Sequence, residues 1–477
     1  MNGEIISICH LGVNLMGNVV YGVTAVFQLL VFLITMYYLV LGFIGLGRKK
    51  DIKDYTPKKK FAMLVAAHNE EVVISGIVDS MAKLNYPKEL YDVFVIADNC
   101  TDKTAEIARK HGANVFERFN KEKRGKGYAL EWMFSNLFEM EEQYDAICIF
   151  DADNLVHEDF LKEINSKMSE GYKVVQGYID SKNPNDSWIT MSYSIAFWSQ
   201  NRMFQLARRN VGFSNQLGGT GFAIDVSILK ELGWGATCLT EDLEFTCKLV
   251  SNGEKVGWAH DAKIFDEKPL TLKQSWAQRK RWMQGFADVA SRYFFKLTKK
   301  AIKEKKWYIF DCALYVMQPF VTLLLGISAV LTLVQSTLHT SGVFTITSMF
   351  SDVGWKVFIV CQFLITPLVL KLEKKVSNGF FVMMFLYSLN VFFVPLLSSL
   401  IPSVYSWIIV EVAYNVVFLV LTIVILGINN FKLFYRFLLY GLYTLSWIPI
   451  TIQGIANKNK KEWSHTKHVR NVEICDL

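Results

Sequence analysis

The eight cysteines of this chain (Cys9, Cys100, Cys148, Cys238, Cys247, Cys312, Cys361 and Cys475) include no Cys-x-x-Cys pair. Their scatter indicates neither a zinc site nor a disulfide framework, and free thiols suit a reducing compartment for the central region. Internal repeats and low-complexity segments are also missing, which sets repeat architectures aside. Charge is sparse, at 20% of residues against 52% hydrophobic, where soluble domains carry roughly 25% and 45–50%. Residues 1–20 contain no Lys or Arg, so the apolar run that follows lacks the basic leader of a secretory signal peptide.

The hydrophobic residues are segregated. Long apolar runs occupy 21–47 and 309–455, while about 58–300 has ordinary globular composition. A run such as 21–47 is long enough to span a bilayer with some tilt. Its charges come after it, at Arg48, Lys49, Lys50, Lys58, Lys59 and Lys60. Basic flanks prefer the cytosol, which puts the N-terminus outside and the central region inside. A second cluster, Lys299, Lys300, Lys303, Lys305 and Lys306, precedes the C-terminal apolar part. Much of the +7 net charge therefore lies at membrane flanks, and nucleic-acid binding explains it less well. Further spans are expected at about 309–334, 354–371, 379–400 and 403–428. The stretch 431–455 is interrupted by Lys432, Arg436 and Pro449. It reads as interfacial or re-entrant, because a fifth crossing would carry the basic tail outside.

Between the apolar parts, strands and helices alternate. Phe61-Ala62-Met63-Leu64-Val65-Ala66 and Val93-Phe94-Val95-Ile96-Ala97 predict buried strands, Asn114-Val115-Phe116-Glu117 a shorter one, and Ala146-Ile147-Cys148-Ile149-Phe150 a fourth. Helical periodicity covers roughly 71–84, the stretch capped by Thr101 or Asp102 through Lys110, and 128–141. This order predicts a doubly wound, mostly parallel α/β sheet. Beyond it, Lys173-Val174-Val175-Gln176-Gly177, Val256-Gly257-Trp258 and Ile264-Phe265 read as strands, and 188–209 as a long aromatic helix. Residues 276–295 form an amphipathic helix suited to a membrane surface.

The fourth strand runs straight into Asp151-Ala152-Asp153. Open α/β sheets bind ligands at the carboxyl edge of their strands, and buried carboxylates are costly unless paired or metal-bound. The two acids read either as a seat for a divalent cation or as caps of the next helix. Asp98 ends the second strand, and Thr240-Glu241-Asp242 and Gln278-Arg279-Lys280-Arg281-Trp282 follow. Thr240-Glu241-Asp242 by itself reads as a cap with acids complementing the helix dipole.

In this order, beside membrane spans, the motifs resemble the membrane-embedded inverting glycosyltransferases of family 2. That group includes the synthases of cellulose, chitin, hyaluronan and poly-N-acetylglucosamine. The runs 66–71, 97–104, 124–130 and 151–154, with Ser181-Lys182-Asn183-Pro184, look most like bacterial exopolysaccharide glycosyltransferases. The resemblance implies a GT-A-like, Rossmann-like cytosolic domain joined to an α-helical transmembrane region, and a UDP-sugar donor with Mg2+ or Mn2+. It assigns the metal to Asp153, places Asp151 toward the ribose or the metal's surroundings, and makes Asp242, beside Glu241, the base that takes the acceptor proton. Asp98 is expected on the uracil ring, with Ala66, Glu70 and Lys126 lining the nucleotide pocket. Arg281 is expected to clamp the diphosphate, Trp282 and Gln278 to meet the acceptor, and Gly219 and Thr220 to border it. Where the family often shows two acids after the second strand, the first here is Ala97.

The expected organisation is an N-terminal anchor at 1–50, a catalytic domain at 51–274, an interfacial helix region at 275–308, membrane helices at 309–455 and a basic tail at 456–477. The expected activity is transfer from UDP-glucose or UDP-N-acetylglucosamine to a growing β-linked polysaccharide at the plasma membrane, processive and coupled to export. A lipid-linked acceptor, or a transporter or receptor with a regulatory domain, is the alternative. Glu411 and Asn415 either pair within the helices or line a sugar path. The tail Trp463-Ser464-His465-Thr466-Lys467-His468 resembles the family's ending that folds over the donor pocket; its other reading is a frayed basic tail.

Overall fold

The computed structural model describes residues 2–235, 238–338, 342–401, 403, 405–459 and 468–474. It consists of two compact units, Met1–Phe43 with Phe320–Ile448, and Ile44–Pro319 with Pro449–Leu477.

In the second unit the apolar runs form β1 (Phe61–Ala67), β2 (Tyr91–Asp98), β3 (Asn114–Arg118) and β4 (Ala146–Asp151). Four further strands follow: β5 (Leu155–Val156), β6 (Val174–Ser181), β7 (Phe222–Asp225) and β8 (Val256–Asp266). Together they make one eight-stranded sheet in the order β3-β2-β1-β4-β7-β6-β8-β5. The pairings of β1 with β2, β1 with β4 and β2 with β3 are parallel, as is β6 with β8. Only β7 reverses, antiparallel to both β4 and β6, along with the short β5 against β8. Two reversals restore the direction, so β6 and β8 end on the same edge as β1, β2 and β4. The result is a mostly parallel, GT-A-like α/β sheet. Ala66 lies opposite both Ile96 and Asp151, which levels the ends of β1, β2 and β4.

The segments expected as separate strands at 256–258 and 264–265 are one strand, β8, with a register shift where it passes Gly177 and Tyr178 of β6. The long aromatic helix comprises Trp188–Ser199, a π-turn at Gln200–Leu206, and Ala207–Val211. Its first turn carries a capping box on Ser187. The amphipathic helix extends over Leu272–Glu304, capped by Thr271. A Cβ on Gly285 would sit 2.3 Å from Thr240 Oγ1, so this helix approaches the start of the helix Glu241–Ser251 more closely than any side chain there permits. Thr240 stands at that helix's N-terminus, yet its side chain makes no capping hydrogen bond; packing against Gly285 replaces the capping expected of it.

The span expected at 309–334 divides in two. Trp307–Val316 belongs to the second unit, while Gln318–Leu338 passes into the first unit from Phe320. Asp311 is the cause: it is 1% exposed and accepts from Arg208 Nε at 2.7 Å and Nη2 at 2.8 Å. The Arg208 guanidinium also lies 3.3 Å above the Phe204 ring. A carboxylate so paired has no place in lipid.

Five helices among the described residues are long and apolar enough to cross a membrane: Gly17–Ile44, Gln318–Thr337, Asp352–Leu372, Asn378–Ser398 and Ser406–Ala456. The last is broken at Gly427, whose φ of 79° is left-handed, so 431–455 is helical but set off from the segment before it. In the first unit Asn415 donates to Glu411 Oε1 at 2.9 Å and accepts from the Tyr387 hydroxyl at 2.8 Å. These two polar residues are thus paired with each other and with Tyr387.

Replacing Asp311 by Ala leaves a buried, unpaired guanidinium. Stability should fall by about 3–5 kcal/mol, read from denaturant unfolding of the purified protein. A loss below about 1 kcal/mol would show that the pair is not what holds Trp307–Val316 in place.

Candidate active site

Because β1, β2, β4, β6 and β8 end together, their polar termini share one edge. At the end of β1, His68 Nδ1 donates to the Asp98 carbonyl at 2.7 Å, and the Glu70 amide donates to Thr104 Oγ1 at 2.8 Å. Asp98, 7% exposed, accepts from Arg118 Nη1 at 2.5 Å and Asn99 Nδ2 at 2.9 Å on the same oxygen, Oδ1. Ala66 stands beside Asp151 in register.

At the end of β4, Lys126 Nζ donates to Asp151 Oδ1 at 2.5 Å and to the Gly219 carbonyl at 2.6 Å. Gly219 has φ +82°, and a Cβ there would sit 3.4 Å from Asp242 Oδ2. The left-handed φ favours glycine here, and the loop lies in contact with Asp242 of the Thr240-Glu241-Asp242 motif. Thr220 Oγ1 accepts from the Asp151 amide at 3.0 Å and donates to Asn154 Oδ1. Lys126, Gly219, Asp151, Glu241 and Asp242 thus occupy one place, and Arg281 faces Glu241 closely enough to favour its charge. Burial first, and the neighbouring Glu241 second, push the Asp242 carboxyl up to about 7, while Lys126 pulls it back down. Burial also raises Glu241.

Next to this group lies a second. Asp153, 5% exposed, accepts the Glu267 amide on Oδ2 at 2.9 Å. Burial pushes its carboxyl upward, but His468 and Lys182 outweigh that and hold it below the ordinary range. Asp266 is pushed up to about 6 by burial, with Asp153 and Asp151 adding to the rise and Lys268 opposing it. His468 Nδ1 is 2.9 Å from Glu70 Oε1, and its Nε2 is 4.0 Å from Asp153 Oδ2. Burial disfavours its charged form, yet Asp153 and Glu70 lift the imidazole to about 10. The amides of Val469 and Arg470 both donate to Glu267. Residues 468–470 therefore lie across the acids. The earlier part of the tail motif, 463–467, lies outside the described residues.

Trp282 packs edge-on against Tyr193, ring centres 6.1 Å apart, and 6.4 Å from Phe197. Its helix also presents Gln278, whose Oε1 is buried without a hydrogen bond among the described residues. Of the residues singled out in the sequence, Asp151, Lys126, Gly219, Thr220, Glu241, Asp242 and Arg281 come together, and Asp153 and Glu70 meet beside them. Asp98 is engaged by Arg118. Sequence reasoning missed Arg118, Asp266, Glu267, Lys268 and the part played by Lys182. Polar residues directly after β6 and β8 were the available signal, but the end of β8 was not recognised as belonging to the same edge.

A divalent cation fits this arrangement. Among the described residues no three His, Cys, Asp or Glu side chains lie close enough to hold one alone. Asp153, with Asp151, would supply the protein ligands. The remaining positions are left to phosphate oxygens and water, as Mg2+ and Mn2+ accept. Five acids (Glu70, Asp151, Asp153, Asp266 and Glu267) face four cations (Lys126, Lys182, Lys268 and His468), an acidic excess that favours such an ion.

Residues 57–285 match a family described as glycosyltransferase like family 2. The probable glycosyltransferase YdaM of Bacillus subtilis is 30% identical over 263 residues, covering 53% of this chain and 61% of that protein. A beta-monoglucosyldiacylglycerol synthase of Nostoc is 28% identical over 266 residues, 54% of this chain and 56% of its own. The poly-beta-1,6-N-acetyl-D-glucosamine synthase of Staphylococcus aureus is 27% identical over 261 residues, 54% and 61% respectively. In each case the chain spans less than two thirds of the relative's length.

A carboxylate base must be ionised to accept a proton. With Asp242 raised to about 7, kcat/KM should fall tenfold per pH unit well below about 7. Lys126→Met removes a charge that favours ionised Asp242, so the acidic limb should move to higher pH. A pH–rate profile that Lys126→Met leaves in place would separate Asp242 from the proton transfer.

Proposed function

From a family 2 glycosyltransferase domain at residues 57–285, we infer that this protein, a glycosyltransferase, moves a sugar from a UDP-sugar to a carbohydrate hydroxyl with inversion. Asp242 takes the acceptor proton while the acceptor oxygen bonds the anomeric carbon. The bond from that carbon to the diphosphate oxygen breaks, and UDP leaves. The observation that carries this reading is the convergence of Asp242, Glu241, Asp151 and Lys126 against Gly219, with Arg281 facing them. One buried acid is tuned toward neutrality there, beside cations able to receive a departing anion. Asp153, with Asp151 beside it, would hold Mg2+ or Mn2+, which would neutralise charge on the leaving oxygens. Arg281 binds the diphosphate, and Trp282 gives the acceptor sugar an apolar face. UDP-glucose and UDP-N-acetylglucosamine are the favoured donors.

The acceptor is a growing β-linked polysaccharide, made processively and exported. Five helices able to cross a membrane and the basic flanks at 48–60 and 299–306 support a plasma-membrane protein with its catalytic domain in the cytosol. A second reading has a specific observation behind it. One relative is named a beta-monoglucosyldiacylglycerol synthase, which favours a single transfer to a lipid acceptor.

Purified protein in lipid, given labelled UDP-sugars with Mg2+ or Mn2+, should yield product whose size separates the readings: a polymer ladder for the first, one glycolipid for the second. Chelation should stop both. Asp242→Asn should lower kcat by roughly 10²–10⁴-fold with UDP affinity within about threefold of the parent. Equal loss of binding and turnover would make Asp242 a structural residue.

A further inference from the structure

The motif Ser181-Lys182-Asn183-Pro184 is left without a task by the reading above, yet it is among the most constrained parts of the catalytic edge. The Lys182 amide donates to the Asp266 carbonyl at 2.9 Å, continuing the β6–β8 pairing past the end of β6. The Asn183 amide group bridges to the backbone of Lys268 in both directions, donating to its carbonyl at 2.9 Å and accepting its amide at 2.8 Å. Ser194 Oγ donates to Ser181 Oγ at 2.9 Å, and the Pro184 carbonyl accepts from Thr190 Oγ1 at 3.3 Å. Both neighbours of Lys182 are therefore tied down.

The side chain so held is 4% exposed and faces Asp153, Glu267, Asp266 and Glu70. None of these carboxylates is within salt-bridge distance of it among the described residues. An ammonium offers three donors, and the one acceptor within reach among the described residues is the Arg470 carbonyl, at a long 3.4 Å. The contrast with Lys268 on the same edge is sharp: its ammonium lies 2.6 Å from Asp266 Oδ1 and 3.2 Å over the Phe197 ring. A buried cation with unused donors is costly unless an anion completes it. The contact it does make is to residues 468–470, the segment lying across the acids.

We propose that Lys182 is a binding residue for the diphosphate of the donor, its ammonium exchanging the Arg470 carbonyl for an oxygen of the terminal phosphate beside Asp153. The inference rests on the donor being a nucleoside diphosphate sugar, as proposed above. It divides the leaving group between two cations, Lys182 at the end of β6 near Asp153 and Arg281 on the helix Leu272–Glu304 near Glu241.

The test compares UDP with UMP, which lacks the terminal phosphate, by calorimetry on the full-length protein in detergent with Mg2+ present. The parent should bind UDP more tightly than UMP. Lys182→Met should weaken UDP by roughly 10- to 100-fold, the range of a hydrogen bond to a charged group, and leave UMP within about threefold. Lys182→Arg, which keeps the charge, should recover part of the UDP preference. UMP binding reports that each variant is folded. If Lys182→Met binds UDP as the parent does, the assignment is overturned while the donor reading stands. Loss of UMP along with UDP in both variants also overturns it, since Lys182 would then be part of the frame. If the parent prefers neither nucleotide, the donor reading itself fails.

Discussion

The catalytic unit is governed by the cost of placing many carboxylates at one buried edge of a sheet. Glu70, Asp153 and Glu267 are each under 10% exposed, and Asp242 and Asp266 are held above the ordinary carboxylate range by burial. Such a crowd survives folding only if cations or backbone amides attend each member. Lys126, Lys182, Lys268 and His468 supply the charge, and the amides of Glu267, Val469 and Arg470 supply donors. The balance is incomplete, with acids in excess. That imbalance favours a bound cation at the edge.

The fold brings distant residues to this edge by a simple device. β7 runs against its neighbours, and β6 and β8 resume the direction of β4. The acids after β4 and the polar residues after β6 and β8 therefore emerge side by side. Close packing then adds the remaining pieces. Gly219 lets its loop rest on Asp242, and Gly285 lets the helix bearing Arg281 and Trp282 lie against Thr240. Arg281 is thus positioned by the same helix contact that fixes the start of Glu241–Ser251, which couples the placement of Arg281 to that of Asp242.

Much of this was legible in the sequence because burial on both faces writes strands as unbroken apolar runs: 61–66, 93–97 and 146–150 each became a parallel strand. The acid motifs at 151–153 and 240–242 were visible for the same reason, as polar residues that a core would exclude. What escaped depended on tertiary partners. Asp311 sits in an apolar run and looked like a lone polar residue within a span, until Arg208, about a hundred positions earlier, met it. Thr240 had the right type and place for a cap, but Gly285 claims its side chain. The burial of Lys182 was hidden because a lysine after a strand is ordinarily solvated, and only the neighbouring ends of β6 and β8 bury it. Phe222–Asp225 was not anticipated as a strand, since four residues carry too little periodicity to announce one.

The contact between Glu70 and His468 joins residues 398 positions apart. During synthesis every strand of the sheet, and then the apolar helices from Gln318 to Ala456, must leave the ribosome before that imidazole exists to be placed. A partner so remote forms late, because chain closure over such a length precedes any reward from the contact. Until then Glu70 and Asp153 lack the His468 charge that meets them in the folded chain, and only Lys126, Lys182 and Lys268 offset the acids. The tail's contribution to the acidic edge is in this way added last, after the apolar helices.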